Sequence, residues 1–195
     1  MKRFVLLVVL ALAACSPKEI PYDDEIASWR AEKDRFMRSP ESPVVEAERA
    51  TFPALPYYAT NAEYRVPAAL RVAPAEDILE MPTSTGQRRR MQRVGALEFT
   101  LKGEPLKLTA FADANDTALL RLFVPFGDRT NGNETYPGGR YLDLDRTVTG
   151  VYDLDFNRAY HPFCLFNATY DCPVPPRENR LTVPIRAGEK LGRPK

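Results

Sequence analysis

The chain has 195 residues and a single histidine, His161. Multi-histidine metal centres are therefore impossible, and a zinc site built from His161 and Cys164 would lack a clear fourth ligand. No GxGxxG, P-loop, HExxH, GxSxG, SxxK or CxxCH pattern occurs, which removes the common nucleotide, haem and hydrolase signatures. The five serines, Ser16, Ser28, Ser39, Ser42 and Ser84, all precede His161 without a recognisable nucleophile elbow. Neither sign of charge is in excess: Lys+Arg number 27 against 26 Asp+Glu. Bulk nucleic-acid binding, which draws on a basic excess, is not expected. No internal repeat or low-complexity tract is visible, and no apolar run reaches the roughly 20 residues a spanning helix needs. Neither a cofactor nor a dedicated metal site is expected. Against only ten glycines stand 18 prolines, a balance that favours a loop-rich β protein over a helical bundle.

The N-terminus is the most informative stretch. Lys2 and Arg3 precede an apolar run from Phe4 to Ala14, and then Cys15. That is the layout of a secretory signal peptide over residues 1–14. Leu12-Ala13-Ala14-Cys15 resembles the bacterial lipobox, which implies cleavage before a lipidated Cys15. Two or three acyl chains form a stable anchor without a spanning segment. Residues 15–21 would be a tether reaching roughly 23 Å at about 3.3 Å per residue, and residues 22–195 one β-rich domain. The expected location is a bacterial cell envelope, on the periplasmic face. Ser16, where an aspartate would resemble an inner-membrane retention signal, favours the outer membrane. The expected partner is that membrane, together with an envelope ligand.

Cys164 and Cys172 remain as an even pair in an exported chain, so a disulfide is the default expectation. It would close a loop of about nine residues and stabilise the fold by roughly 2.5 kcal/mol. His161, before Pro162, reads as a loop residue whose ring packs or hydrogen-bonds locally.

Residues 23–38 predict one N-terminal amphipathic helix: Asp23, Asp24 and Glu25 open it, Arg35 and Arg38 close it, and Ser39-Pro40 stops it. Ile26, Trp29 and Phe36 form a narrow apolar stripe that Lys33 interrupts. Residues 40–62 read as an irregular wrap. Beyond Glu63 the period becomes two. Short strands are expected at 64–66, 70–72, 77–81, 97–101, 106–110, 118–124, 140–145, 151–157 and 181–186. The fold class is mainly β, an antiparallel sandwich or open barrel.

Asp143 and Asp145 alternate with leucines in RYLDLD, and Asp153, Asp155 and Asn157 alternate with apolar residues in VYDLDFN. Each strand thus puts its acids on one face. If the two strands pair as a hairpin, four carboxylates share that face and need cations, a metal or raised pKa values to coexist. A solvated face bridged to arginines, a hard-cation site and a carboxylate-pair hydrolase all fit. An EF-hand does not, since no glycine follows Asn157. The run Arg88-Arg89-Arg90 fits either a guarded strand edge or contact with anionic head groups.

Three strings, PFGDRTNGNETYPGGRYLDLD (125–145), YDLDFNRAYHPFC (152–164) and CPVPPRENRLTVPIRAGEK (172–190), resemble a bacterial family known as domain of unknown function 1684. Residues 82–108 are similar to its middle portion, and His161 stands where that pattern implies asparagine. The resemblance implies a shared fold without implying a reaction. It draws attention to Arg129, Glu134, Tyr136, Arg140, Tyr141, Asp155, Asn157, Tyr160, Glu178, Asn179 and Arg180. These residues, with Asp143, form either a ligand-binding cluster or a buried network that fixes the proline-rich C-terminal segment. The leading expectation is a lipid-anchored domain that binds a small or extended envelope ligand. The alternatives are a hydrolase acting on cell wall or carbohydrate through Glu134, Asp143 or Asp155, and a structural envelope protein without a ligand.

Overall fold

A computed structural model describes residues 20–74, 77–115 and 121–192; the signal segment, Cys15 and most of the tether lie outside these. The predicted helix is α1, Tyr22–Met37, with its three acids in the first turn and Arg35 in the last, the arrangement the helix dipole favours. A short helix α2, Glu46–Arg49, lies within the irregular wrap that follows.

The rest of the regular structure is strand. β1 is Arg65–Val72, β2 Ile78–Pro82, β3 Arg88–Leu101, β4 Glu104–Asp113, β5 Arg121–Phe126, β6 Arg140–Asp145 and β7 Val151–Asp155. All seven form one antiparallel sheet in the order β6-β5-β4-β3-β1-β7, with β2 on β3. Of the two predicted architectures it is the open barrel, not the sandwich. The long strand β3 organises it: β2 pairs with its first half and β1 with its second, while β4 runs along the opposite edge. The register shifts between Arg93 and Gly95, and a Cβ at Gly95 would collide with the Arg71 carbonyl. The bulge lets β3 change partner, and it needs glycine there.

The period-two pattern sets the inside. Leu97, Phe99, Leu108, Ala110, Leu122, Val124, Leu142, Leu144 and Leu154 point into the core, where Phe156 meets Phe99 and Phe126. On the outer side, Met81, Met91 and Phe111 form a second small cluster with Phe123 against it.

Some strand bounds shift: 64–66 and 70–72 are one strand, 97–101 begins at Arg88, 151–157 ends at Asp155, and residues 118–120 of the expected 118–124 strand lie outside the described residues. Two expectations change outright. β6 and β7 do not pair as a hairpin; each is an end of the sheet, β6 on β5 and β7 on β1. They approach each other, and their facing acids border an open groove of about 410 Å³. Residues 181–186 are not a strand. Pro184 has no N–H to give a ladder. The neighbouring backbone groups are taken singly, Leu181 N–H by the Gly127 carbonyl and Ile185 N–H by Asp128 Oδ1. Beyond β7 the chain is an irregular wrap with short 3-10 turns, and it carries most of the site.

Candidate functional site

The polar residues singled out in the sequence fall into two groups. Arg140, Asn157 and Asn179 are fully buried, and each is consumed by backbone. Arg140 donates to the carbonyls of Ile185, Ala187 and Glu189 and to Asp128 Oδ2 at 2.9 Å. Both side chains of that ion pair are wholly inaccessible. Asn179 exchanges bonds with Thr109 N–H and C=O and donates to the Pro125 carbonyl. It bridges β4 and β5 near the position where Phe111 pairs with Phe123. Asn157 accepts from Asn61 N–H and donates to the Asn61 carbonyl, Asp155 and the Tyr22 hydroxyl, which fastens the start of α1 to the end of β7. These three form the buried network.

The others, the three tyrosines and Asp143 aside, are scattered. Glu134 is forked by Arg186 and receives the Tyr58 hydroxyl, and Arg186 holds its carboxyl below the usual range. That is opposite to what a general acid needs. Glu178 pairs with Arg93, and Arg129 and Arg180 are exposed. Asp155 accepts from Tyr22 and lies beside Arg158, while Asp153 and Asp145 pair with Arg65 and Arg121. Among the described residues no three His, Cys, Asp or Glu side chains gather to hold a metal ion.

His161 is buried and neutral. Its Nε2 accepts the Tyr136 N–H, which puts the ring proton on Nδ1, 3.4 Å from Glu189 Oε2. Burial, aided by Arg140 and Lys33, lowers its pKa to about 3. Glu189 is 1% exposed and accepts the His161 backbone N–H, and burial pushes its carboxyl up. Lys33, whose ammonium lies 3.9 Å from Glu189 and 4.1 Å from the centre of the Tyr160 ring, is the residue that interrupted the helical stripe. Sequence reasoning missed Glu189, although it lies within the last string that carried the resemblance.

Tyr136, Tyr141 and Tyr160 come together with residues the sequence did not flag. Tyr160 pairs through its backbone with Tyr141 along the first part of β6, and the segment 160–173 arches over the outer face of β5 and β6. Beneath it is a cavity of about 380 Å³ lined by Phe123, Tyr141, Tyr160, Phe163 and Tyr170, with Arg89, Asp113, Asp171 and Cys172 among its other walls. The rings stand edge-on: Phe123 to Tyr141 at 4.8 Å, Tyr141 to Tyr160 at 5.7 Å and Phe163 to Tyr170 at 5.5 Å. Two hydroxyls are turned to the protein, Tyr141 to the Pro173 carbonyl and Tyr160 to Asp143 at 2.8 Å. The signal that could have found this site is the density of aromatics in 160–170, which has no periodicity to align it with β5.

Cys164 and Cys172 are thiols in this structure, so the expected disulfide is not formed in it. The two are nonetheless neighbours, Cys164 N–H donating to Cys172 Sγ at 3.1 Å. Burial pushes the Cys172 thiol up to about 12, which makes it a poor nucleophile. The Tyr136 hydroxyl lies 3.9 Å from Cys164 Sγ.

No helix among the described residues is long and apolar enough to cross a membrane. The fold is similar to the solution NMR structure of an uncharacterized protein from Haloarcula marismortui. The two chains are 38% identical, the match covers 87% of this chain and 94% of that one, and the TM-score is 0.69. No curated protein matches the chain. The match that spans residues 50–190, and with them all seven strands and the aromatic cavity, is to a protein family of unknown function, DUF1684, and the chain belongs to that family.

Proposed function

We propose that the domain is a binding module of the cell envelope that takes a small organic molecule into the cavity beneath residues 160–173 and performs no chemistry on it. The observation that supports this reading most is the cavity itself. Its volume of about 380 Å³ lies within the range of small-ligand sites, and mostly apolar walls with a few polar groups are their usual make-up. The revised site replaces the dispersed polar cluster, whose central members hold the fold together. Lipid on Cys15 would keep the module at a membrane, and in an oxidising compartment Cys164 and Cys172 would join, fixing one wall of the cavity.

Ligand-observed NMR with a set of small organic molecules on the exported chain tests the reading. Hits should lose at least about 10-fold in affinity in Tyr170→Ala, a half-buried position whose truncation leaves the core intact. Hits that survive both Tyr170→Ala and Phe123→Ala would put the binding site elsewhere. A mass two hydrogens light, with no titratable thiol, is expected for the exported protein; two free thiols would sink the disulfide.

A further inference from the structure

We infer that the ligand of the aromatic cavity is a cation, an alkylated ammonium group whose charge lies against the ring faces of Tyr160, Phe163 and Tyr170. This inference rests on the binding reading above and names its chemical class. Three observations carry it. First, five aromatic rings line a space of about 380 Å³, and ring faces attract desolvated cations through their quadrupoles. Second, the fold already uses one of these rings in this way, since the Lys33 ammonium lies 4.1 Å from the centre of Tyr160.

Third, the fixed charges around the cavity favour a positive guest. Asp113 and Asp171 border it, against the guanidinium of Arg89, while the Lys33 ammonium behind Tyr160 is paired with the buried Glu189. Arg89 donates through Nη2 to the Asp171 carbonyl, and Asp171 is oriented by the Thr85 N–H and hydroxyl. The hydroxyls of Tyr141 and Tyr160 are already given to the protein. An uncharged polar guest would therefore find few donors, whereas an alkylammonium needs none. Its methyl groups fill apolar space and its charge is met by rings and carboxylates.

Choline and its uncharged carbon isostere dimethylbutanol have nearly the same shape, and dimethylbutanoate carries the opposite charge. Amide chemical-shift titrations of the exported Cys15→Ser chain with each, followed at residues 160–173, separate charge from shape. Choline should bind about 10-fold tighter than dimethylbutanol, the ratio that one desolvated cation–ring contact supplies. Asp113→Asn with Asp171→Asn should lower that ratio without abolishing it while leaving dimethylbutanol unchanged. Equal or tighter binding of dimethylbutanol or dimethylbutanoate would overturn the cation while leaving the cavity a binding site. Silence at residues 160–173 with all three probes would overturn both. Competition for choline by phosphatidylcholine vesicles, absent with phosphatidylglycerol vesicles, would identify a lipid headgroup as the source. No competition by either would identify a free ammonium compound.

Discussion

At the scale of single residues, the most informative side chain is Arg140, because its type suggests a surface and its position is the interior. Its guanidinium supplies the hydrogen bonds that residues 185–189, which are not a strand, have no ladder to supply. Arg140→Met should destabilise the protein by about 3–5 kcal/mol, since it leaves Asp128 buried and uncompensated; urea denaturation measures it. His161 makes a pH prediction with a definite sign. Its pKa is about 3 when folded and near 6.5 when unfolded, so between those values the unfolded chain binds the extra proton. Stability therefore falls as pH drops below about 6.5, with a slope approaching 1.4 kcal/mol per pH unit. Glu189 acts the other way: its raised carboxyl takes up a proton in the folded state first, which restores stability as pH drops through its folded value. His161→Asn keeps an acceptor for Tyr136 N–H and removes only the first effect. Its urea midpoint should change less between about pH 7 and pH 5 than that of the parent. Neither Arg140 nor Asn179 could be assigned from sequence, because a polar residue in a loop satisfies backbone or ligand with the same atoms. Lys33 was legible only as an interruption, since Glu189 lies 156 positions further on.

At the scale of elements, α1 is held to the barrel by few polar points. The Tyr22 hydroxyl donates to Asp155 and accepts from Asn157, both at 2.8 Å. Tyr22→Phe should cost about 1–3 kcal/mol, the range for leaving buried partners unmet. That loss should appear in hydrogen exchange as faster opening of α1, with β3 and β4 protected as before. Equal acceleration in α1 and β3 would mean that the helix and barrel open together. The helix and the β3–β4 hairpin were legible because each repeats one period with its own stop signals. β1 was read as two fragments because Pro67 interrupts the pattern. Residues 181–186 were misread because LTVPIR alternates like a strand, while the partners that capture its backbone, Asp128 and Gly127, come from another loop. The aromatic cavity was hidden for a similar reason: its walls come from β3, β4, β5, β6 and the terminal wrap.

At the scale of the whole molecule, one sheet with two free ends carries a long C-terminal wrap over one outer face and α1 over another part. The proposed anchor belongs to this scale. Cys15→Ser should move the exported protein from the membrane fraction to the soluble fraction without altering its thermal midpoint. Retention in the membrane fraction would mean that something other than lipid holds it. The seam between β6 and β7 has a mechanical consequence. The two strands that share no ladder are consecutive in the chain, joined by residues 146–150, so the barrel is clasped by covalent bonds where hydrogen bonds leave it open. Val148, at the tip of that clasp, is fully exposed. A protease cut there would remove the covalent clasp and leave the Tyr141–Tyr160 backbone pair and the packing of Phe156 to hold the two edges together.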